Sequence, residues 1–169
     1  IGPHNGQTLH HHHHGNKIKS GDLVLLDAGA ETEMGYAGDM TSTIPADATY
    51  TTRQKEIYDI VIASHEASIK ELRPGVTFES VYDTSAKVIV EGLKSLGFMR
   101  GDAAEAVKAG AHALFYPHGL GHMMGLDVHD MENLGEIYVG HNGQPKSTQF
   151  GRKSLRLGRM LEPGFVHTI

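Results

Sequence analysis

Two aspartates and three histidines are the residues whose types and spacing could do chemistry in this chain. Asp27 lies inside the apolar run LVLLDAGA at 23–30, where a lone carboxylate costs several kcal/mol unless it is paired, hydrogen-bonded or bound to a cation. Asp39 lies in the next such stretch, GYAGDMTSTI at 35–44, and can face it. Two carboxylates brought together by a hairpin repel, and either a shared proton or a metal relieves the repulsion. A turn-capping Asp and a solvated one would satisfy the same spacing.

The second constellation is HGLGHMMGLDVHD, with His118, His122 and His129. A zinc-binding helix also places two His at i and i+4, but with Glu after the first and helix formers between them. Here Gly119 and Gly121 intervene. In extended chain, His118 and His122 share a face because strand side chains alternate. Histidines satisfied within a loop are the other reading of this pattern. With no Cys in the sequence, thiolate chemistry is excluded and any metal must sit on His and carboxylates.

Several elements must position these residues. The runs at 23–30 and 35–44 read as neighbouring antiparallel strands joined by a short polar turn. Thr51 and Gln54 have capping-box spacing and open a helix to about Leu72, with Ile57, Ile60, Val61 and Ser64 on one face and Pro74-Gly75 beyond its end. A second helix spans about 78–96 and stops at Gly97, and Asp102 with Glu105 caps a shorter one over 102–110. The glycines at 119, 121 and 125 make 114–130 extended chain and turn. Residues 137–161 carry five bases and no acid, and read as a loop leading to a last element at 164–169. Strands and helices are segregated along the chain, which predicts α+β rather than a doubly wound sheet, with helices covering one face of a curved antiparallel sheet.

Composition narrows the partners. Fifteen Lys and Arg against 20 Asp and Glu give a formal charge of −5, so no global positive field favours nucleic acid or anionic lipid. Apolar runs such as 23–26 fall far short of the roughly 20 residues of a membrane span. The chain reads as one soluble domain acting on small molecules or other proteins. Thirteen residues are His, five of them consecutive at 10–14, and imidazole binds metals and moves protons near neutral pH. The tract is internal, and reads as a native loop. Arg100-Gly101-Asp102 spells an adhesion tripeptide, but Asp102 is better explained as a helix cap.

The segments LLDAGAE, GYAGDMTSTIP, LRPGVTF, PHGLGHMMGLDVHDMENLGE and LRLGRMLEPGFVHTI, in unbroken order, resemble the catalytic domain of aminopeptidase P and prolidase, the pita-bread or creatinase-like metallopeptidases. MENLGE after VHD points to the Xaa-Pro aminopeptidase branch. The resemblance implies an incomplete pita-bread fold. It implies Asp27 as a ligand of one metal, Asp39 as the bridging ligand and His122 as a ligand of the other. It further implies His118 and His129 as pocket residues that stabilise the tetrahedral intermediate, and His10 as a further pocket His. The expected cofactor is a pair of divalent ions, Mn²⁺ foremost with Co²⁺ or Zn²⁺ able to substitute, activating a bridging hydroxide. The expected substrates are peptides with proline second. A homodimer of the full-length protein in the cytoplasm is also expected. A prolidase, or a pita-bread module that binds peptides without catalysis, is the alternative.

This chain departs from the family pattern in two places. The usual D-x-T-R-T reads Asp39-Met40-Thr41-Ser42-Thr43 here, which keeps the ligand and removes an Arg beside it. The family also supplies two glutamate ligands, the first in an EPG after V-x-T-[IV]. Thr168-Ile169 stands just before that point, and Glu162-Pro163-Gly164 belongs to the preceding segment. Residues 1–169 are therefore expected to be part of a C-terminal catalytic domain, without the family's N-terminal domain and final strands, and inactive alone. In the full-length enzyme, His10→Ala should lower kcat/KM far more than joint replacement of His11–His14 by Ala. Equal damage from both would remove the distinction.

Overall fold

A computed structural model of the chain describes residues 15–169; His10 and the rest of the histidine tract lie outside them. Strands β1 (Leu23–Ala28) and β2 (Met40–Pro45) form an antiparallel hairpin in which Asp27 pairs with Thr41 and Ala28 with Met40. The pairing is shorter than the sequence predicts, because the chains cross too closely after Ala28 to continue the ladder. A Cβ on Gly29 would stand 2.1 Å from the Gly38 carbonyl oxygen, and Gly38 N–H donates to Ala30 O at 2.7 Å. Beyond this pinch a single bridging pair, Glu31 with Ala37, leads to the turn at Gly35 (φ 79°).

The stem of the hairpin is tied to the first helix, α1 (Thr52–Glu71). Tyr50 Oη donates to Thr43 O at 2.7 Å, and Gln54 Nε2 to Gly21 O at 2.9 Å. The predicted capping box is present, with Thr51 Oγ1 accepting from Gln54 N and Gln54 Oε1 accepting from Thr51 N. Helix α2 (Phe78–Ser95) follows, capped by Thr77, and then α3 (Ala103–Lys108), capped by Asp102. The cap bond from Glu105 N–H lowers the Asp102 pKa and gives this carboxylate a structural task.

Of the face expected to be buried, Ile60 and Ser64 meet α2 and the other two residues do not. Ile57 and Val61 are exposed, and the seam is formed by Ser64 and Ser68 with Ile60 seated on Gly92. Ser64 Oγ lies 2.8 Å from Ser85 Oγ and donates to Ser85 O at 3.1 Å. Small hydroxyl residues satisfy their own polarity while letting the two backbones come close, and hydrophobic periodicity does not register them.

Two packed clusters fix the remainder. Ala86, Val90, Ala103 and Val107 join α2 to α3, and Phe78, Leu157 and Leu161 pack with Leu120 and Met123. The second cluster anchors the histidine-rich segment to the start of α2. Residues 116–130 contain no helix, as the glycines predict. The predicted loop at 137–161 instead contains most of helix α4 (Glu136–His141) and a 3₁₀ turn (Arg152–Ser154), and a further 3₁₀ turn (Glu132–Leu134) precedes it. Gly140 obscured α4 in the sequence, and it is there for contact: a Cβ would stand 1.8 Å from Arg156 O. The expected last element is a short extended pairing, with Met123 opposite His167, Met124 N–H donating to Val166 O and Thr168 N–H to His122 O.

One polar group is sealed inside the α2–α3 layer. His112 is fully buried, with Nε2 at 2.7 Å from Tyr82 Oη, and Arg152 lies over the Tyr82 ring while pairing with Glu79 and Asp83. Burial, helped by the Arg152 charge, holds the His112 pKa below 6.5. The unfolded chain therefore takes up this proton before the folded one does. Stability is lost as pH falls from about 6.5, by at most about 1.4 kcal/mol per pH unit for one group. His112→Gln should shrink the drop in urea midpoint between about pH 7.5 and about pH 5.5; an unchanged drop would assign the acid sensitivity elsewhere.

Candidate metal centre

The hairpin delivers both aspartates. Asp27 and Thr41 are cross-strand partners, and Thr41 Oγ1 donates to Asp27 Oδ1 at 2.7 Å. Asp27 is an exposed residue on the cavity wall rather than a carboxylate enclosed in apolar surroundings. Asp39 follows the Gly29–Gly38 pinch, immediately before β2, and is partly buried. Ala37 N–H donates to Gly125 O at 2.8 Å. This bond ties the hairpin to the histidine-rich segment and brings Asp39 to His122 across 83 residues of chain.

The glycines of HGLGH are there because that segment is squeezed from two sides. A Cβ on Gly119 would stand 2.6 Å from Leu155 Cα and 2.7 Å from Ser154 O. One on Gly121 would stand 2.3 Å from Thr168 O, and Gly121 itself has φ +72°, a conformation that side chains resist. His122 is locked into the same pairing: its N–H donates to Thr168 Oγ1 at 3.0 Å and its carbonyl accepts from Thr168 N–H at 2.9 Å.

The orientation of the His122 ring carries chemical information. Its Nδ1 lies 3.0 Å from the Met123 carbonyl oxygen, and a carbonyl only accepts, so the proton is on Nδ1. Nε2 then points at Asp39 Oδ2 from 3.2 Å. A lone pair facing a carboxylate is repulsive unless a cation, a second proton or a metal, lies between them. The donor chemistry of Asp39, His122 and Asp27 fits a divalent ion. Among the described residues no three His or carboxylate groups converge tightly enough to enclose one; Asp27 stays on the hairpin side, bonded to Thr41.

All five described residues picked out by the sequence, Asp27, Asp39, His118, His122 and His129, line one cavity of about 550 Å³. The His129 ring lies against that of His122, with centroids 4.0 Å apart. Burial lowers the pKa of His118, and burial, His122 and Arg156 lower that of His129, with Glu132 opposing. Both histidines are therefore biased toward the neutral form near pH 7, above their ordinary value of 6.5.

The cavity also contains residues that sequence reasoning passed over: His65 from α1, Thr41, Glu136, Lys146 and Arg156. Lys146 pairs with Glu136 and Arg156 with Glu132, so one end of the cavity carries paired charges and the other the two aspartates. Arg156 and Lys146 were visible only as part of a basic stretch. Their acidic partners lie in the segment just before it and could not be matched to them without the fold.

Residues 2–169 match the model of metallopeptidase family M24. The Xaa-Pro aminopeptidase of Escherichia coli strain K12 is 42% identical over 165 residues, covering 98% of this chain and 33% of the relative. Among solved structures, a zinc-substituted E. coli aminopeptidase P in complex with product aligns with TM-score 0.78 at 42% identity, covering 96% of this chain and 32% of that one. Proline aminopeptidase P II from Yersinia pestis aligns with TM-score 0.79 at 39% identity, covering 98% and 34%. The chain thus spans about a third of the length of these proteins, and its hairpin and helices are part of their pita-bread fold. With a family match over nearly every residue and the five singled-out side chains gathered on one cavity, the chain belongs to metallopeptidase family M24.

Proposed function

We propose that residues 1–169 are part of the catalytic domain of an Xaa-Pro aminopeptidase, which removes the N-terminal residue from peptides with proline second. The observation that carries this reading is the approach of His122 Nε2 to Asp39 Oδ2, with Asp27, His118 and His129 on the same cavity. A catalytic metal centre uses this His–Asp pair and the three neighbouring side chains together, which a metal-free binding module would not require. Asp27, Asp39 and His122 would hold a pair of divalent ions together with donors from outside these three, and the oxygen-rich set suits Mn²⁺ over Zn²⁺. When bound, such ions supply Lewis acidity toward the scissile carbonyl and lower the pKa of water.

The chain's own side chains do the rest. His118 and His129 hydrogen-bond the substrate where charge develops on its carbonyl oxygen. Thr41 restrains the rotamer of Asp27 through their 2.7 Å bond, which limits how far the carboxylate must turn when it takes up an ion. The paired charges of Glu136–Lys146 and Glu132–Arg156 form the far wall, along which the peptide continues beyond proline.

In the full-length protein, Asp39→Asn or His122→Ala should cut Mn²⁺-dependent cleavage of an Xaa-Pro peptide by well over the roughly 100-fold that losing an outer-sphere partner costs. Near-normal rates with either variant would break the assignment. Absence of bound metal in the purified protein, with no gain of activity on adding Mn²⁺, would favour the binding module. Thr41→Val should weaken Mn²⁺ binding about 10- to 100-fold by calorimetry, and Thr41→Ser should restore most of it; unchanged affinity in Thr41→Val would show that Asp27 needs no support.

A further inference from the structure

His129 has two ring nitrogens, and what each meets decides what it can do in the cavity. Its Nδ1 lies 3.3 Å from Glu132 Oε2. Glu132 is itself nearly buried, with its side chain 12% exposed, and the same oxygen pairs with the Arg156 guanidinium. A carboxylate only accepts, so this arrangement draws the imidazole proton to Nδ1 and leaves Nε2, on the opposite side of the ring, for the cavity.

The geometry is built rather than incidental. Glu132 is turned back onto His129 by a 3₁₀ turn whose preceding residue, Met131, has φ 59°, a conformation that non-glycine residues seldom adopt. Arg156 lies between Leu155 and Leu157, both buried, and its carbonyl is pressed against Gly140 of α4. The packed core thus fixes the Arg156 backbone, its 40% exposed side chain reaches Glu132, and Glu132 meets the His129 ring.

We infer that Glu132, held by Arg156, is a positioning residue for His129, setting its ring orientation and tautomer so that Nε2 faces the bound peptide. The inference rests on the aminopeptidase reading for its kinetic consequence but not for its structural one. Glu132 is placed to act on turnover more than on binding, because a ring free to rotate still lines the cavity while spending less time in the productive orientation.

The test uses the full-length Mn²⁺ enzyme for kinetics and, separately, nitrogen-15 NMR of the histidine rings in its diamagnetic Zn²⁺ form. Glu132→Ala should lower kcat on an Xaa-Pro peptide about 10- to 100-fold while KM changes less than about threefold, and Glu132→Gln, whose amide oxygen can still accept from Nδ1–H, should recover most of kcat. The spectra should show His129 in wild type with its proton on Nδ1, kept there in Glu132→Gln and redistributed in Glu132→Ala. Unchanged kcat in Glu132→Ala, equal damage in Glu132→Gln, or a wild-type ring carrying its proton on Nε2 would each overturn the inference. The wild-type spectrum decides even if Glu132→Ala does not fold. Failure of the wild-type enzyme to cleave Xaa-Pro peptides would instead remove the aminopeptidase reading and leave the NMR result to judge Glu132.

Discussion

The structure is organised around one contact that calls for a cation, His122 Nε2 held 3.2 Å from the Asp39 carboxylate, where a second ring proton or a metal satisfies both groups. It persists because each is fixed from behind, His122 by Met123 O and the Thr168 pairing, and Asp39 by the pinch of Gly29 against Gly38 and the Ala37–Gly125 bond. Both side chains are thus placed by backbone bonds and close packing rather than by their own contact.

That backbone is held by few apolar contacts. Leu120 and Met123, flanking Gly121 and His122, pack with Phe78, Leu157 and Leu161. The histidine-rich segment is therefore clamped between the start of α2 and the last residues of the chain. The same core continues into Arg156 through its buried neighbours. The two ends of the cavity, aspartates on the hairpin and paired charges near α4, are thus held by different parts of the molecule. The segment from 118 to 130 contacts both, through Gly125 to the hairpin and through His129 to Glu132.

Much of this was legible in the sequence, for identifiable reasons. Capping boxes are local, so Thr51 and Asp102 announced their helices to within a residue or two. The glycines at 119 and 121 were rightly read as excluding helix, although their cause, close passage of 154–155 and 168, is tertiary and invisible locally. Asp27, Asp39, His118, His122 and His129 were picked out as a group by family resemblance, and their sharing of one cavity is a geometric fact that residue spacing alone left open. The misses have a common origin. The place of Ser68 in the α1 seam, the helix around Gly140 and the pairing of Arg156 with Glu132 all depend on contacts between distant residues that carry no apolar periodicity.

The hairpin pinch divides β1–β2 into two mechanically distinct parts. Side chains in a strand change face with every residue, so a slip of one position would turn Asp27 and Thr41 to the opposite side. The closest backbone approach in the hairpin, at Gly29 and Gly38, lies just outside that pair and acts as a stop against such a slip. The stem is thereby calibrated, whereas the tip around 32–35 lies beyond the stop and is closed mainly by its own bonds between Thr32, Gly35 and Tyr36. Residues can be gained, lost or exchanged at the tip without changing which way either carboxylate faces, and a single residue added to the stem changes both.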